Sequence, residues 1–351
     1  MSFVTPGAAS ANDLKNDRDL VSLPDDSISS LDFSTQGDYL AVGSWDNKVR
    51  LYEVNQNLES QGKALYEHQG PVLSVHWSPD GTKVASGGVD RAGRVFDVAT
   101  GQAAQMAAHD APIKDVRFVN VPNAQGPILA TASWDKTLKY WDLRQQSPIA
   151  TVNLPERAYS MDTRSNLLVV ATAERHIAII DLNNPGAIFK SIISPLKLQT
   201  RVVSCFPSAN GYAVGSIEGR CSIQYVDEKQ QKDSFSFKCH RDQVSQGARP
   251  EFNVFALNSI SFHPQYGTFA TCGADGTFHY WDKESRHRLK FFPNLGAPVV
   301  ASAFNSKGTI FAYAISYDWS KGYQFNRQDY PKTVRLHMVK DEDIKPRPRK
   351  R

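Results

Sequence analysis

The sequence predicts an all-β fold in which seven four-stranded sheets close into a ring. Three observations predict it. One hairpin pattern, a period-2 strand, a tight turn and a second period-2 strand, comes back seven times. Successive copies lie 39 to 56 residues apart, and four of the six spacings fall between 39 and 45. Each interval leaves room for two more short strands, and about 40–45 residues with four strands is the repeat length of a propeller blade. Seven such units use nearly all of the 351 residues, so one closed ring accounts for the length better than two domains do.

The pattern is clearest from Leu129 to Leu143, LATASWDKTLKYWDL. Leu129, Thr131 and Ser133 alternate with small residues. Trp134-Asp135-Lys136 then turns the chain, an Asp side chain being able to bond its own backbone there. Thr137 to Trp141 alternates again, and the unit closes on an aromatic followed by an acid, Trp141-Asp142. Related stretches are Leu40 to Val54, Val84 to Val98, Val169 to Leu182, Ala213 to Asp227 and Phe269 to Lys283. A degenerate seventh copy starts at Phe311 and ends in a strand from Thr333 to Val339. The acid position reads Glu53, Asp97, Asp142, Asp181, Val226, Asp282 and His337, so the acid is lost in the fifth and seventh copies.

Taken in order, residues 1–19 are polar, small and without periodicity, which predicts a disordered segment. The propeller is expected over 20–340 and a charged, basic tail over 341–351. His68 and His109 each stand in a loop before an apolar strand. Insertions precede the sixth unit (Asp242 to about Asn253) and interrupt the seventh (SYDWSKGYQFNRQDYP), as surface loops that carry binding function often do. A ring of this kind avoids a free edge when its two chain ends share a blade. The segment Leu20 to Leu23 is therefore expected to add a strand to the seventh unit.

Composition narrows the function classes. The net charge is +4, and five of the last seven residues are basic (Lys345, Arg347, Arg349, Lys350, Arg351), so the body is near neutral. That argues against a protein that coats nucleic acid over its whole surface. The tail KPRPRKR suits a nuclear import signal or a phosphate-contacting extension. Cys205, Cys221, Cys239 and Cys272 have neither disulfide-framework nor zinc-ligand spacing and read as reduced thiols. No apolar run approaches the roughly 20 residues that span a bilayer, and the N-terminus has no signal-peptide pattern. These features predict a soluble intracellular chain.

His109, Asp135, Thr131 and Trp141 resemble the internal hydrogen-bonding set of a WD repeat. The histidine can bridge the turn aspartate and the strand hydroxyl, and the indole N–H can bond that hydroxyl. The sixth unit offers Asp275, Thr271 and Trp281, with His240 as partner across the insertion. The second offers His68, Asp90 and Ser86, with Phe96 in place of the Trp. Hydroxyl, imidazole and carboxylate in line also describe a nucleophilic triad. A catalytic site occurs once, whereas this set recurs, and no nucleophile turn, phosphate loop or metal cluster accompanies it. The reading is a structural tetrad and no enzyme, with no cofactor and no metal.

The spacing and these tetrads resemble those of WD-repeat proteins over nearly the whole chain. Within that group the sequence resembles the Rae/Gle family of nuclear-pore-associated mRNA export factors. DDSISSLDFS, GSWDNKVR, HDAPIKDVRF, LPERAYSMD, VVATAERHI, GSIEGR, FKCHR and YDWSKG carry the resemblance. The spindle-checkpoint Bub propeller shares the ATAERHI-like and EGR-like segments and is the competing reading; YDWSKG and the basic tail fit the export branch better. The resemblance implies an adaptor, monomeric in itself, at the nuclear pore and nuclear envelope with cytoplasmic shuttling. It would bind a short hairpin-forming segment of an FG-repeat nucleoporin and take part in poly(A) RNA export, with single-stranded RNA as a further ligand or, in a third reading, the primary one. Motif by motif, it places partner binding at Arg220, Phe237, Trp281, Lys283, Arg286 and Arg288. Arginine forks suit carboxylates and phosphates, and aromatics beside them suit apolar anchors or bases.

Overall fold

The computed structural model describes residues 10–122, 124–245 and 251–347. It forms seven four-stranded antiparallel sheets, six of them meanders from an inner to an outer strand and the seventh completed by a strand from the start of the chain. The third blade shows why these residues form one. Its strands are Ile113–Val119, Ile128–Ser133, Thr137–Asp142 and Ala150–Asn153. Every residue of Ile128–Ser133 is buried. Leu129 packs with Trp141, Ile113 and Ala85 towards the second blade, and Ala130 and Ala132 pack with Met161, Leu168 and Val170 of the fourth. Alternation places side chains on both faces, and here both faces are covered, so the strand must be apolar or hydrogen-bonded on each.

The inner strands are Ile28–Phe33, Val72–Trp77, Ile113–Val119, Ala158–Arg164, Thr200–Cys205, Leu257–Phe262 and Val299–Phe304. Each starts with a register shift against its neighbour, a bulge at the same place in all seven blades. Inner-strand polar groups tie successive blades together. Asp32 accepts the Trp77 N–H at 2.7 Å, Asp115 the Met161 N–H at 2.8 Å and Asp162 the Cys205 N–H at 2.7 Å. The first inner strand touches the last, so the sheets close into a ring. We call the end where the inner strands begin the upper end.

Closure joins the chain ends, two residues earlier than expected. Arg18–Asp19 pairs with Thr333–Met338, Arg18 opposite Leu336, and the Leu20 N–H donates to the Val334 carbonyl at 2.9 Å. The strand does not run on to Leu23, because Ser22 adopts a left-handed conformation (φ 50°) that breaks the extension. The expected boundaries shift accordingly. Residues 10–19, read as disordered, form a Ser10-capped turn Ala11–Leu14 and then this strand. Asp17 accepts from the Tyr313 hydroxyl at 2.7 Å and pairs with His337 Nδ1 at 2.7 Å. Asp341–Ile344, assigned to the tail, is a helical turn whose Ile344 is buried against the sixth and seventh blades. The apolar spacing of Leu14 and Ile344 was too sparse to signal this. Residues 1–9 and 348–351, which carry the rest of both expectations, lie outside the described residues.

Candidate partner-binding groove

The tetrads tie entry loop, turn and strands of a blade together. In the third blade His109 Nδ1 lies 2.8 Å from Asp135 and Nε2 2.7 Å from Thr131 Oγ1, which also accepts the Trp141 indole N–H at 2.8 Å. Asp135 accepts, so the proton is needed on Nδ1, and the unprotonated Nε2 then accepts from the Thr131 hydroxyl. The imidazole is then neutral, with its proton on Nδ1 facing the carboxylate, a tautomer assigned from the network. Burial drives the His109 pKa down, against the pull of Asp135. Burial alone would raise Asp135, but hydrogen bonds from Thr137 and His109 hold it below its ordinary value.

The sixth blade repeats the set across the long insertion. His240 Nδ1 is 2.9 Å from Asp275, Nε2 is 2.9 Å from Thr271, and Trp281 donates to Thr271 at 2.8 Å. A Cβ on Gly273 would meet His240 Nδ1 at 2.3 Å, so only glycine fits beside this imidazole. The insertion itself is a hairpin, Arg241–Gln243 paired with Phe252–Val254. In the second blade, where Phe96 removes the indole, the Tyr66 hydroxyl donates to Ser86 instead at 2.9 Å. Sequence reading missed Tyr66 because it sits on the outer strand, outside the repeating hairpin. None of these hydroxyls faces an open cleft: Ser86, Thr131 and Thr271 are fully buried.

His240, Asp275 and His279 bring potential metal-ligand atoms within 4.8 Å of one another. The Thr277 hydroxyl sits among them, 3.2 Å from His240 Nδ1, 2.9 Å from Asp275 and 3.0 Å from His279 Nε2. Both His240 nitrogens are already engaged by the tetrad, so the cluster reads as packing.

The six residues singled out from the sequence do not form one patch. Arg220 opens its strand at the upper end, opposite Lys238, with its guanidinium 3.7 Å from Glu218. Lys283 and Arg286 lie in the turn between Phe278–Asp282 and His287–Phe291, at the lower end. A six-residue strand at about 3.3 Å per residue separates the two ends by roughly 16 Å.

The other five residues gather along the outer strands of blades five and six. Phe237 and Trp281 are buried there (3% and 2% exposed), their rings 4.7 Å apart. They are packed in the core between the two blades, where the Trp281 indole is committed to Thr271. Arg288 is held over Trp281 at 6.0 Å and over Phe291 at 5.2 Å. Arg286 lies 4.5 Å over Phe235 and donates to the Asp233 carbonyl at 3.4 Å. Lys283 is largely covered, over Phe206 at 5.0 Å and Tyr225 at 5.9 Å, and pairs with Glu284. Cations stacked on aromatic faces keep their charge outward while their stems are packed. Phe235, Phe206 and Tyr225, which hold these cations, were not singled out; the alternation of Phe235 and Phe237 was the available signal.

A ring of seven four-stranded sheets with recurring His–Asp–hydroxyl–indole tetrads defines a WD-repeat propeller. The WD domain, G-beta repeat family matches residues 20–53, 59–97, 102–142 and 249–282, which end on the third strands of blades one, two, three and six. The chain is 60% identical to the poly(A)+ RNA export protein of Schizosaccharomyces pombe over 96% of its own length and 95% of that protein. It is 55% identical to mRNA export factor GLE2 of Chaetomium thermophilum (96% and 94%) and 43% identical to protein Rae1 of Drosophila melanogaster (97% and 99%). The chain belongs to this Rae1/Gle2 family of WD-repeat proteins.

Proposed function

We propose that the chain is a non-enzymatic adaptor of the nuclear pore that takes part in export of poly(A) RNA from the nucleus. In this reading it binds a hairpin-forming segment of an FG-repeat nucleoporin. The observation that carries it is near-full-length identity to proteins named as poly(A)+ RNA and mRNA export factors, on a fold whose chemically loaded groups are spent on packing. The groove between blades five and six supplies a suitable surface. Arg286 and Arg288 offer guanidinium forks on an aromatic bed, which suits acidic peptide segments and the phosphates and bases of single-stranded RNA. Arg220 belongs to a second contact zone at the upper end. Localisation at the nuclear envelope with cytoplasmic shuttling follows from the same reading.

Titration calorimetry with the nucleoporin hairpin peptide tests it. Binding should be saturable and of one-to-one stoichiometry. Charge reversal at Arg220 and at Arg286, made separately, should each weaken it if the hairpin spans both ends. Absence of binding to the hairpin, with the protein folded, would overturn the adaptor reading.

A further inference from the structure

The seven bulges give the central channel a ring of side chains at its upper mouth. The second residue of each inner strand occupies the crest. In blade three this is Lys114 and in blade five Arg201; the other blades carry Ser29, Leu73, Tyr159, Asn258 and Val300. The two charged residues of the ring are therefore both cations. Lys114 lines the channel together with Ser29, Leu73 and Asn258. Among the described residues its ammonium has no hydrogen-bond or ion-pair partner. Arg201 starts in blade five and donates to the Asp318 carbonyl of blade seven at 2.9 Å, so its side chain passes the start of blade six at the mouth.

The carboxylates that could neutralise these cations are engaged elsewhere or only partly available. Asp115 takes Arg117 at 2.6 Å, the Ser74 hydroxyl at 2.7 Å and the Met161 N–H at 2.8 Å. Asp162 accepts from Arg117, Ser204 and Cys205. Asp318 uses one oxygen for the Ser320 N–H at 3.1 Å, and its Oδ2 is buried with no partner. Asn258 donates to the Val299 carbonyl at 3.1 Å, and its Oδ1 is also buried with no partner. The mouth therefore combines a cation without a hydrogen-bond or ion-pair partner among the described residues, a second cation near it and, on the channel-lining Asn258, a buried acceptor that needs a donor. Burial, together with the neighbouring Arg201 and Arg117 guanidiniums and against the pull of Asp115, lowers the Lys114 pKa. Unfilled buried acceptors are costly and are satisfied by a ligand or by water.

We propose that the upper mouth of the channel is an oxyanion site of the phosphate class, with Lys114 and Arg201 holding the anionic oxygens and Asn258 Oδ1 accepting the proton that hydrogen phosphate carries. A fully deprotonated tetrahedral anion satisfies the cations and leaves Asn258 Oδ1 unfilled, so the site prefers phosphate to sulfate. The site is independent of the groove between blades five and six.

Calorimetry on the full chain at neutral pH, with inorganic phosphate titrated against a chloride background of matched ionic strength, tests this. Phosphate should bind saturably, sulfate more weakly, and Lys114→Gln and Arg201→Gln should each lower phosphate affinity by about tenfold, the scale of one charge-assisted bond. Thermal unfolding without phosphate establishes that each variant is folded; if Arg201→Gln is not, Lys114→Gln decides. Phenyl phosphate in place of phosphate distinguishes a site for free phosphate from one for a phosphomonoester. No saturable heat, equal affinity for sulfate, or unchanged affinity in folded Lys114→Gln would overturn the proposal.

Discussion

Tyr66 donates its hydroxyl to Ser86 Oγ at 2.9 Å, reaching from the outer strand of blade one, Ser60–Glu67, to blade two. The same hydroxyl position in blades three and six is served by a tryptophan on the third strand of the same blade. His68 Nε2 completes the Ser86 bonding at 2.7 Å, and the Tyr66 ring stacks on Phe96 at 5.2 Å. The residue that removes the indole thus also provides the seat for its substitute. Tyr66→Phe should destabilise the protein by about 1 kcal/mol, the net value of one buried hydrogen bond. Ser86→Ala should cost less in the Tyr66→Phe background than in the native chain, because the two act as one unit. Urea unfolding of the four proteins measures both effects.

The neutral tetrad histidine sets a pH dependence. The pKa of folded His109 lies below its ordinary value, burial being the main cause. An imidazole of about 6.5 in the unfolded chain therefore takes up a proton before the folded one does. Stability should be complete above about pH 6.5 and fall as the pH drops from there towards the folded pKa. Asp135 acts in the same direction at lower pH, because its folded pKa is depressed. Urea midpoints at pH 7.5 and 5.5 should show the loss, and His109→Asn, although less stable overall, should show a smaller change between the two pH values.

Gly273→Ala should disrupt the sixth tetrad, since the new methyl would lie 2.3 Å from His240 Nδ1 and 2.5 Å from an Asp275 oxygen. Displacing a buried, bonded imidazole should cost about 2–3 kcal/mol. A lowered melting temperature with the propeller retained by circular dichroism is the expected result.

The groove separates residues of different kinds. Arg286→Glu should reduce affinity for an acidic peptide or RNA and leave thermal stability within about 0.5 kcal/mol, since it changes a surface position. Trp281→Ala should instead lower stability by about 3–5 kcal/mol, the cost of deleting a large buried ring. Melting curves set beside binding isotherms separate the two behaviours.

Asp17 is nearly covered and holds both Tyr313 and His337 at 2.7 Å. Asp17→Ala should destabilise by about 3 kcal/mol, because two buried polar groups lose their partner at once. Hydrogen exchange should show the loss concentrated in the seventh blade.

The ring and its blade count were legible because the hairpin pattern repeats, and each copy reports on the same physical demand: two buried faces and a tight turn. The tetrads were legible for the same reason, and His240 could be placed despite the paired strands Arg241–Gln243 and Phe252–Val254 that follow it. Tyr66 was not legible, since it replaces an indole from a different strand. The segments that pack at the chain ends were missed because Leu14 and Ile344 are single apolar anchors without periodicity. Trp281 was legible as a tetrad member and as a motif residue alike; only packing shows that the first role buries it. The separation of Arg220 from Arg286 follows from strand direction, which a list of motifs does not encode.

The pairing of Arg18–Asp19 with Thr333–Met338 joins segments more than 300 positions apart. Such a contact is slow to form, because the whole intervening chain must be ordered first. During synthesis the early segment must wait unpaired until the final blade emerges. A chain cut short before Thr333 would keep an open edge on each flank of the unfinished ring. Those edges are ready templates for pairing with other chains, so nonsense truncations should aggregate and not persist as smaller propellers.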